Sequence, residues 1–250
     1  MSDAQDRESG GTAWWARFAL LGGIIAVILL LIGPIGYRTG LLGVSGAVLL
    51  APGMAASLAA ISLLFALVGV FLTIRHGLVA ERLPVALGGA LSLAILINMG
   101  AQFGAAADNP IHDVTTAPED PPRFEAIVAE RADAPNTLEY DAAALAETTR
   151  RKYPEVQPLV TDLPPRQAWE RALAAAESLG WEIVAASEAE GRIEASDRSL
   201  FYGFVDDVVI RLREEDGGTR IDLRSVSRVG QSDLGANAAR IRAFLERYRR

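Results

Sequence analysis

The chain has no cysteine, which excludes disulfides and thiolate metal sites. Lysine is almost missing: of 24 basic residues only Lys152 is one. Histidine is limited to His76 and His112. There is no Gly-rich phosphate loop, no His cluster at metal spacing and no nucleophile elbow, so the familiar motifs for nucleotide, zinc and acyl chemistry are all wanting. Charge itself is scarce where it matters most. Residues 18–103 carry only Arg38, Arg75, Glu81 and Arg82, which is membrane composition. Up to Phe103 five basic residues face four acidic ones, a net of +1, and beyond it 19 face 27, a net of −8. An acidic soluble part argues against nucleic acid as a partner, because phosphates call for a basic surface.

What is present in the first third is hydrocarbon. Phe18 to Gly36 is uncharged for 19 residues, enough to cross a core of about 30 Å at about 1.5 Å per residue. Trp14 and Trp15 precede it and suit an interfacial belt. A secretory signal is the competing reading, but the run is too long and further runs follow. Leu41 to Ile74 is uncharged throughout, too long for one span. Pro52-Gly53 breaks it, and Met54–Ile74 reads as the second span, with Leu83–Phe103 as the third. Arg7, Arg17, Arg75 and Arg82 flank one side and Arg38 the other. The positive-inside rule then puts the N-terminal tail, residues 1–17, in the cytoplasm and everything after Phe103 outside, which in a Gram-negative cell is the periplasm. No ionisable residue lies in mid-span. Such residues mark ion pathways, so an anchor at 18–103 is favoured over a transporter.

Residues 104–139 include Pro110, Pro118, Pro121, Pro122 and Pro135 and read as an extended linker. A soluble domain is expected over 140–250. Helices are expected at Asp141–Tyr153, from Pro164-Pro165 to Leu179, and over Asp233–Arg250, the last with Leu234, Ala238, Ile241, Phe244, Leu245 and Tyr248 on one face. Strands are expected at Trp181–Ala186 and Arg192–Ser196, followed by a hairpin about Asp216-Gly217-Gly218. A loop centred on Gly217-Gly218 pairs Leu212 with Leu223, Arg213 with Asp222 and Asp207 with Arg228. Val208, Ile210, Leu212, Ile221 and Leu223 then share one face, and Arg192, Glu194, Asp207, Arg211, Arg213, Asp222, Arg224 and Arg228 the other. The fold class is a three-helix transmembrane anchor plus an α+β domain, a four-stranded antiparallel sheet with its helices on one face.

The ionic face invites two readings. Arg192, Arg211, Arg224 and Arg228 form a surface that grips an anionic partner, since guanidinium forks suit carboxylate and phosphate. Alternatively His112 with Asp113, Asp206 or Asp207 performs acid–base chemistry in a membrane-tethered hydrolase. Asp206 and Asp207 point to opposite faces as strand neighbours, so they do not make one paired carboxylate site. Asp207 is expected to pair with Arg228, and Asp206 to seek donors from Ser232, Asn237 or helix amides. No metal site and no cofactor is expected.

Several short words resemble a known family. Phe204-Val205-Asp206-Asp207, then Arg224-Ser225-Val226-Ser227-Arg228-Val229-Gly230, then Ser232-Asp233-Leu234-Gly235-Ala236-Asn237 are similar to the bacterial domain-of-unknown-function 1499 family over about residues 108–247. His112-Asp113-Val114-Thr115-Thr116 and Pro121-Pro122-Arg123-Phe124 resemble the opening of its membrane-anchored members. The resemblance implies an α+β domain on a membrane anchor, with Asp206, Asp207, Ser225, Ser227, Gly230, Asp233, Gly235 and Asn237 as its structural motif, and no settled activity. The expectation for function is an inner-membrane protein whose periplasmic domain binds an envelope protein, lipid head group or peptidoglycan component.

Overall fold

The computed structural model describes residues 12–250. Arg7 and most of the expected cytoplasmic tail therefore lie outside the described residues. The chain divides into two compact units, 1–104 and 105–250.

The first unit holds three helices, α1 (Trp14–Arg38), α2 (Ala51–His76) and α3 (Val79–Asp108), each long and apolar enough to cross a membrane. The stretch just before Pro52 is a π-helical turn, Gly46–Leu50, that runs straight into α2. Leu, Ile and Phe side chains point outward while Ala16, Ala19, Gly22, Ala59, Ser62 and Ala66 are buried. That inversion is expected in lipid, where small residues let helix backbones approach. A Cβ on Gly88 would lie 2.2 Å from the Ala19 carbonyl, so α1 and α3 touch backbone to backbone. Ser62 donates to that same carbonyl at 2.6 Å, and Ser92 donates to Ser62 at 3.0 Å. The buried Glu81 reaches back to accept from the Ala13 N–H at 2.8 Å, satisfying one free amide at the start of α1.

The second unit is built on six antiparallel strands, two more than expected. They are β1 (Asp113–Thr115), β2 (Leu159–Thr161), β3 (Glu182–Ser187), β4 (Arg192–Arg198), β5 (Val205–Glu215) and β6 (Gly218–Ser227). Four run β6-β5-β4-β3, and β1 and β2 pair end to end with the free edge of β6. Both additions are three residues long, too short to show alternation. Helices α4 (Ala142–Lys152), α5 (Pro165–Ser178) and α6 (Ala236–Arg249) complete the unit. The α5 and α6 stripes bury against Ile193, Ala195, Val208, Ile210, Leu212, Ile221 and Leu223, the core the alternation marked. Leu234, expected on the α6 stripe, instead lies outside that helix and is exposed.

The hairpin register differs from expectation by two residues. Asp216 (φ 51°) and Gly217 (φ 83°) form the turn, so Glu215 faces Gly218, Leu212 faces Ile221 and Asp207 faces Val226. Positive φ at both central positions is the Asp-Gly hairpin geometry. Gly218 is a strand residue for a separate reason: a Cβ there would meet the Thr161 carbonyl of β2 at 2.2 Å. A slip of two leaves every side chain on its face, which is why the core survives the change of partners.

Residues 116–140, nearly all within the 104–139 stretch expected as an extended linker, lie across the far face of the sheet. Phe124 and Ile127 pack on Val209 and Val226 there. The buried Glu194 carboxylate accepts from the amides of Glu125, Ala126 and Ile127 at 2.9, 3.1 and 3.0 Å, holding the start of a short 3₁₀ helix, Ile127–Arg131. The ionic face is thus roofed by its own chain.

Candidate ligand pocket under the roofing strap

The arginines of this face are satisfied from within. Asp207 is wholly buried and accepts from Arg131 at 2.5 Å, from Arg228 at 2.8 and 2.9 Å, and from Ser196 at 2.7 Å. Asp207 therefore does pair with Arg228, across a diagonal of the ladder. Its hydrogen bonds hold the Arg228 pKa above the ordinary value, whereas burial pulls that of Arg131 below it. Asp222 gathers Arg211, Arg213 and Arg220 at 2.8–2.9 Å, and Asp120 of the strap closes over Arg211 and Arg213. Arg192 bonds Glu125 and Glu190 at the rim.

Arg224 is the most enclosed. Its Nε and Nη2 reach Asp113 at 3.0 and 2.6 Å, and Nη2 also donates to the Leu138 carbonyl at 2.8 Å. The guanidinium is sandwiched between the rings of Phe124 and Tyr140, 5.4 and 5.3 Å from their centroids. Beside this stack opens a cavity of 470 Å³ whose wall includes Arg123, Phe124, Tyr140, Arg224, Glu119 and Glu139. Burial, with Asp113 nearby, pushes the Tyr140 hydroxyl up to about 12, so it stays protonated at neutral pH.

On the opposite face the motif residues form a second buried set. Asp206 takes its donor from Arg240 at 2.7 Å, not from Ser232 or Asn237. Asn237 accepts from Ser225 and Arg240 at 2.6 and 2.8 Å, and donates to Ser227 and to the His112 carbonyl at 3.0 and 2.9 Å. It ties α6, β6 and the approach to β1 together. Asp233, just ahead of α6, accepts from the Gly235 and Asn237 amides at 2.8 and 2.9 Å and from Asn109 at 2.8 Å. Gly230 and Gly235 supply positive φ at the two bends.

His112 is placed apart from both aspartates. Its ring nitrogen lies 3.4 Å from the Gln231 carbonyl, and β6 separates β1 from β5. Asp113 and Asp207 are engaged by guanidinium groups on one face, Asp206 on the other, so these residues are not assembled as an acid–base set. Among the described residues no group of three or more His, Asp or Glu is poised to hold a metal. Arg131, Arg240 and Tyr140 were not picked out from sequence. Arg131 and Tyr140 lie on either side of Pro135 in a stretch without periodicity. Arg240 did carry a signal, since it sits one turn from Asn237 and Phe244 on the buried side of α6.

A family model described as Protein of unknown function (DUF1499) matches residues 113–247. No curated protein and no solved structure gives a significant match. The matched segment begins at the first strand and ends in the last helix, more than half of the whole, and the chain belongs to this family of unknown function.

Proposed function

We propose that the chain is a multi-pass inner-membrane protein with a cytoplasmic N-terminus, and that its periplasmic C-terminal domain binds an envelope component without transforming it. Three apolar helices and the uneven arginines about them support the placement. The observation that carries the binding role is the 470 Å³ cavity beside Arg224. It brings together aromatic rings, the exposed Arg123 and the carboxylates of Glu119 and Glu139, with Arg224 at its inner wall. Such a mixed lining suits a ligand that carries both charges, as peptidoglycan stem peptides do. Arg192, Arg211 and Arg228 serve in this reading as the frame behind the pocket, and Arg224 as its floor.

The test uses Arg123→Glu in the full chain, because Arg123 is exposed and its loss spares the fold. Titration with a disaccharide–stem-peptide fragment is expected to show roughly tenfold weaker binding, the worth of one charge-assisted hydrogen bond. Equal affinity for the two proteins would remove the pocket from consideration.

A further inference from the structure

We propose that the exposed side of α3 around Asn98 is a contact, inside the membrane, with α3 of a second copy of this chain. This rests on the spanning reading given above. A polar side chain in hydrocarbon needs a hydrogen-bond partner, because no water is there to serve as one. The serine and threonine hydroxyls of α2 and α3 each have theirs. Ser57 and Thr73 donate to carbonyls of their own helix, Ser62 to the Ala19 carbonyl and Ser92 to Ser62. Among the described residues Asn98 and Gln102 have none, and both are exposed. The helix is uncharged from Leu83 to Ala107, and Asn98 stands three residues from the middle of that run, about 5 Å along the axis. With the run centred in a core about 30 Å thick, the amide lies roughly 10 Å below the nearer edge.

The residues about Asn98 make a seam for another helix. The buried residues of α3 are Glu81, Val85, Gly88, Ser92, Ile95 and Met99, spaced alternately four and three apart, which is the seam of left-handed helix packing. Leu87, Leu91, Ala94, Asn98 and Ala101 repeat that spacing, turned by about 100° round the helix. All but the half-buried Leu91 are exposed. Small residues such as Ala94 and Ala101 let helix backbones approach until short side chains meet. An asparagine at one seam position fixes register and oligomeric state in paired helices. Chemistry and depth choose the partner. A carboxamide holds both a donor and an acceptor, so a second carboxamide satisfies it. In a dimer whose two-fold axis runs along the membrane normal, the helices are parallel and equivalent residues share one depth. Asn98 then meets its own counterpart, and Gln102, one turn further on the same side, brings a second amide to the contact.

The absence of cysteine makes the test direct. The full chain carries either Ala101→Cys, on the seam, or Ile97→Cys, exposed on a different side of α3. Each protein sits in vesicles of phosphatidylcholine and phosphatidylglycerol and is oxidised with copper phenanthroline. Disulfide-linked dimer is expected for Ala101→Cys, in several-fold higher yield than for Ile97→Cys. Energy transfer between dyes on Glu214→Cys then follows self-association as the protein is diluted with lipid. Adding Asn98→Leu, which removes no contact within the chain, is expected to weaken association about tenfold, and Asn98→Gln much less. Association unchanged by Asn98→Leu overturns the proposal, and so do equal cross-linking at 97 and 101 and a monomer at every dilution. An alkaline carbonate wash separates the two readings. A chain that stays in the vesicles as a monomer removes the contact alone; a chain that washes off removes the spanning reading too.

Discussion

Replacing Arg224 by alanine tests the account of the ionic face most sharply. On sequence grounds this arginine, with Arg228, is a ligand-gripping pair whose loss leaves folding intact. Its environment says otherwise. The side chain is 3% exposed and its partner Asp113 2%. Truncation leaves a buried carboxylate without its counter-charge, strips a donor from the Leu138 carbonyl and empties the space between the rings of Phe124 and Tyr140. Breaking a buried pair from one side costs about 3–5 kcal/mol, a large share of the roughly 5–15 kcal/mol that holds a domain folded. With a urea slope of about 2 kcal/mol/M, the midpoint falls by roughly 2 M. The full chain in detergent, titrated with urea and followed by fluorescence of Trp169 and Trp181, reads this out. Arg213→Ala is the comparison: its side chain is 44% exposed, and the change is expected to move stability by about 1 kcal/mol or less. The double change Arg224→Ala with Asp113→Ala should recover part of the loss, because no charge is then stranded. A midpoint for Arg224→Ala within about 0.5 M of the parent would refute the claim that this face is a closed ionic interior.

Other consequences follow from the same geometry. Gly218→Ala drives a Cβ to 2.2 Å from the Thr161 carbonyl and should cost about 1–3 kcal/mol, with faster amide exchange along β2. Gly217→Asn should be nearly silent by the same measurement, since asparagine accepts positive φ and the site is open. Burial raises the Asp233 pKa above 3.8. The folded state thus holds this proton more tightly than the unfolded chain, so Asp233 contributes stability that is complete below 3.8 and fades as pH rises through the folded value. Asp233→Asn should flatten that part of the pH–urea-midpoint curve; an unchanged curve would show that another group titrates there. Finally, alkaline phosphatase fused after Arg250 should be active in cells and a fluorescent protein at the same place dark; the reverse pattern would invert the topology and withdraw the periplasmic reading.

Much of the domain was legible in the chain because its causes are local. Strand alternation in 205–215 and 218–227 sorts side chains by face wherever the partner strand lies. Helical stripes at 168–176 and 238–248 do the same, and a stretch with almost no charge can settle only in an apolar solvent. The candidate site was not legible in this way. Arg192, Arg211, Arg224 and Arg228 read as a surface because nothing in their neighbourhood announces a roof. The roof consists of residues 116–140, a stretch without period that is stabilised by contacts up to about a hundred positions away, such as Asp120 with Arg213 and Arg131 with Asp207. The hairpin register belongs with it: Asp216-Gly217 and Gly217-Gly218 are both acceptable turns, and the approach of β2 to Gly218 selects the first. Short-range patterns specify which way a side chain faces; what it meets there depends on segments that chain connectivity brings back from far along the sequence.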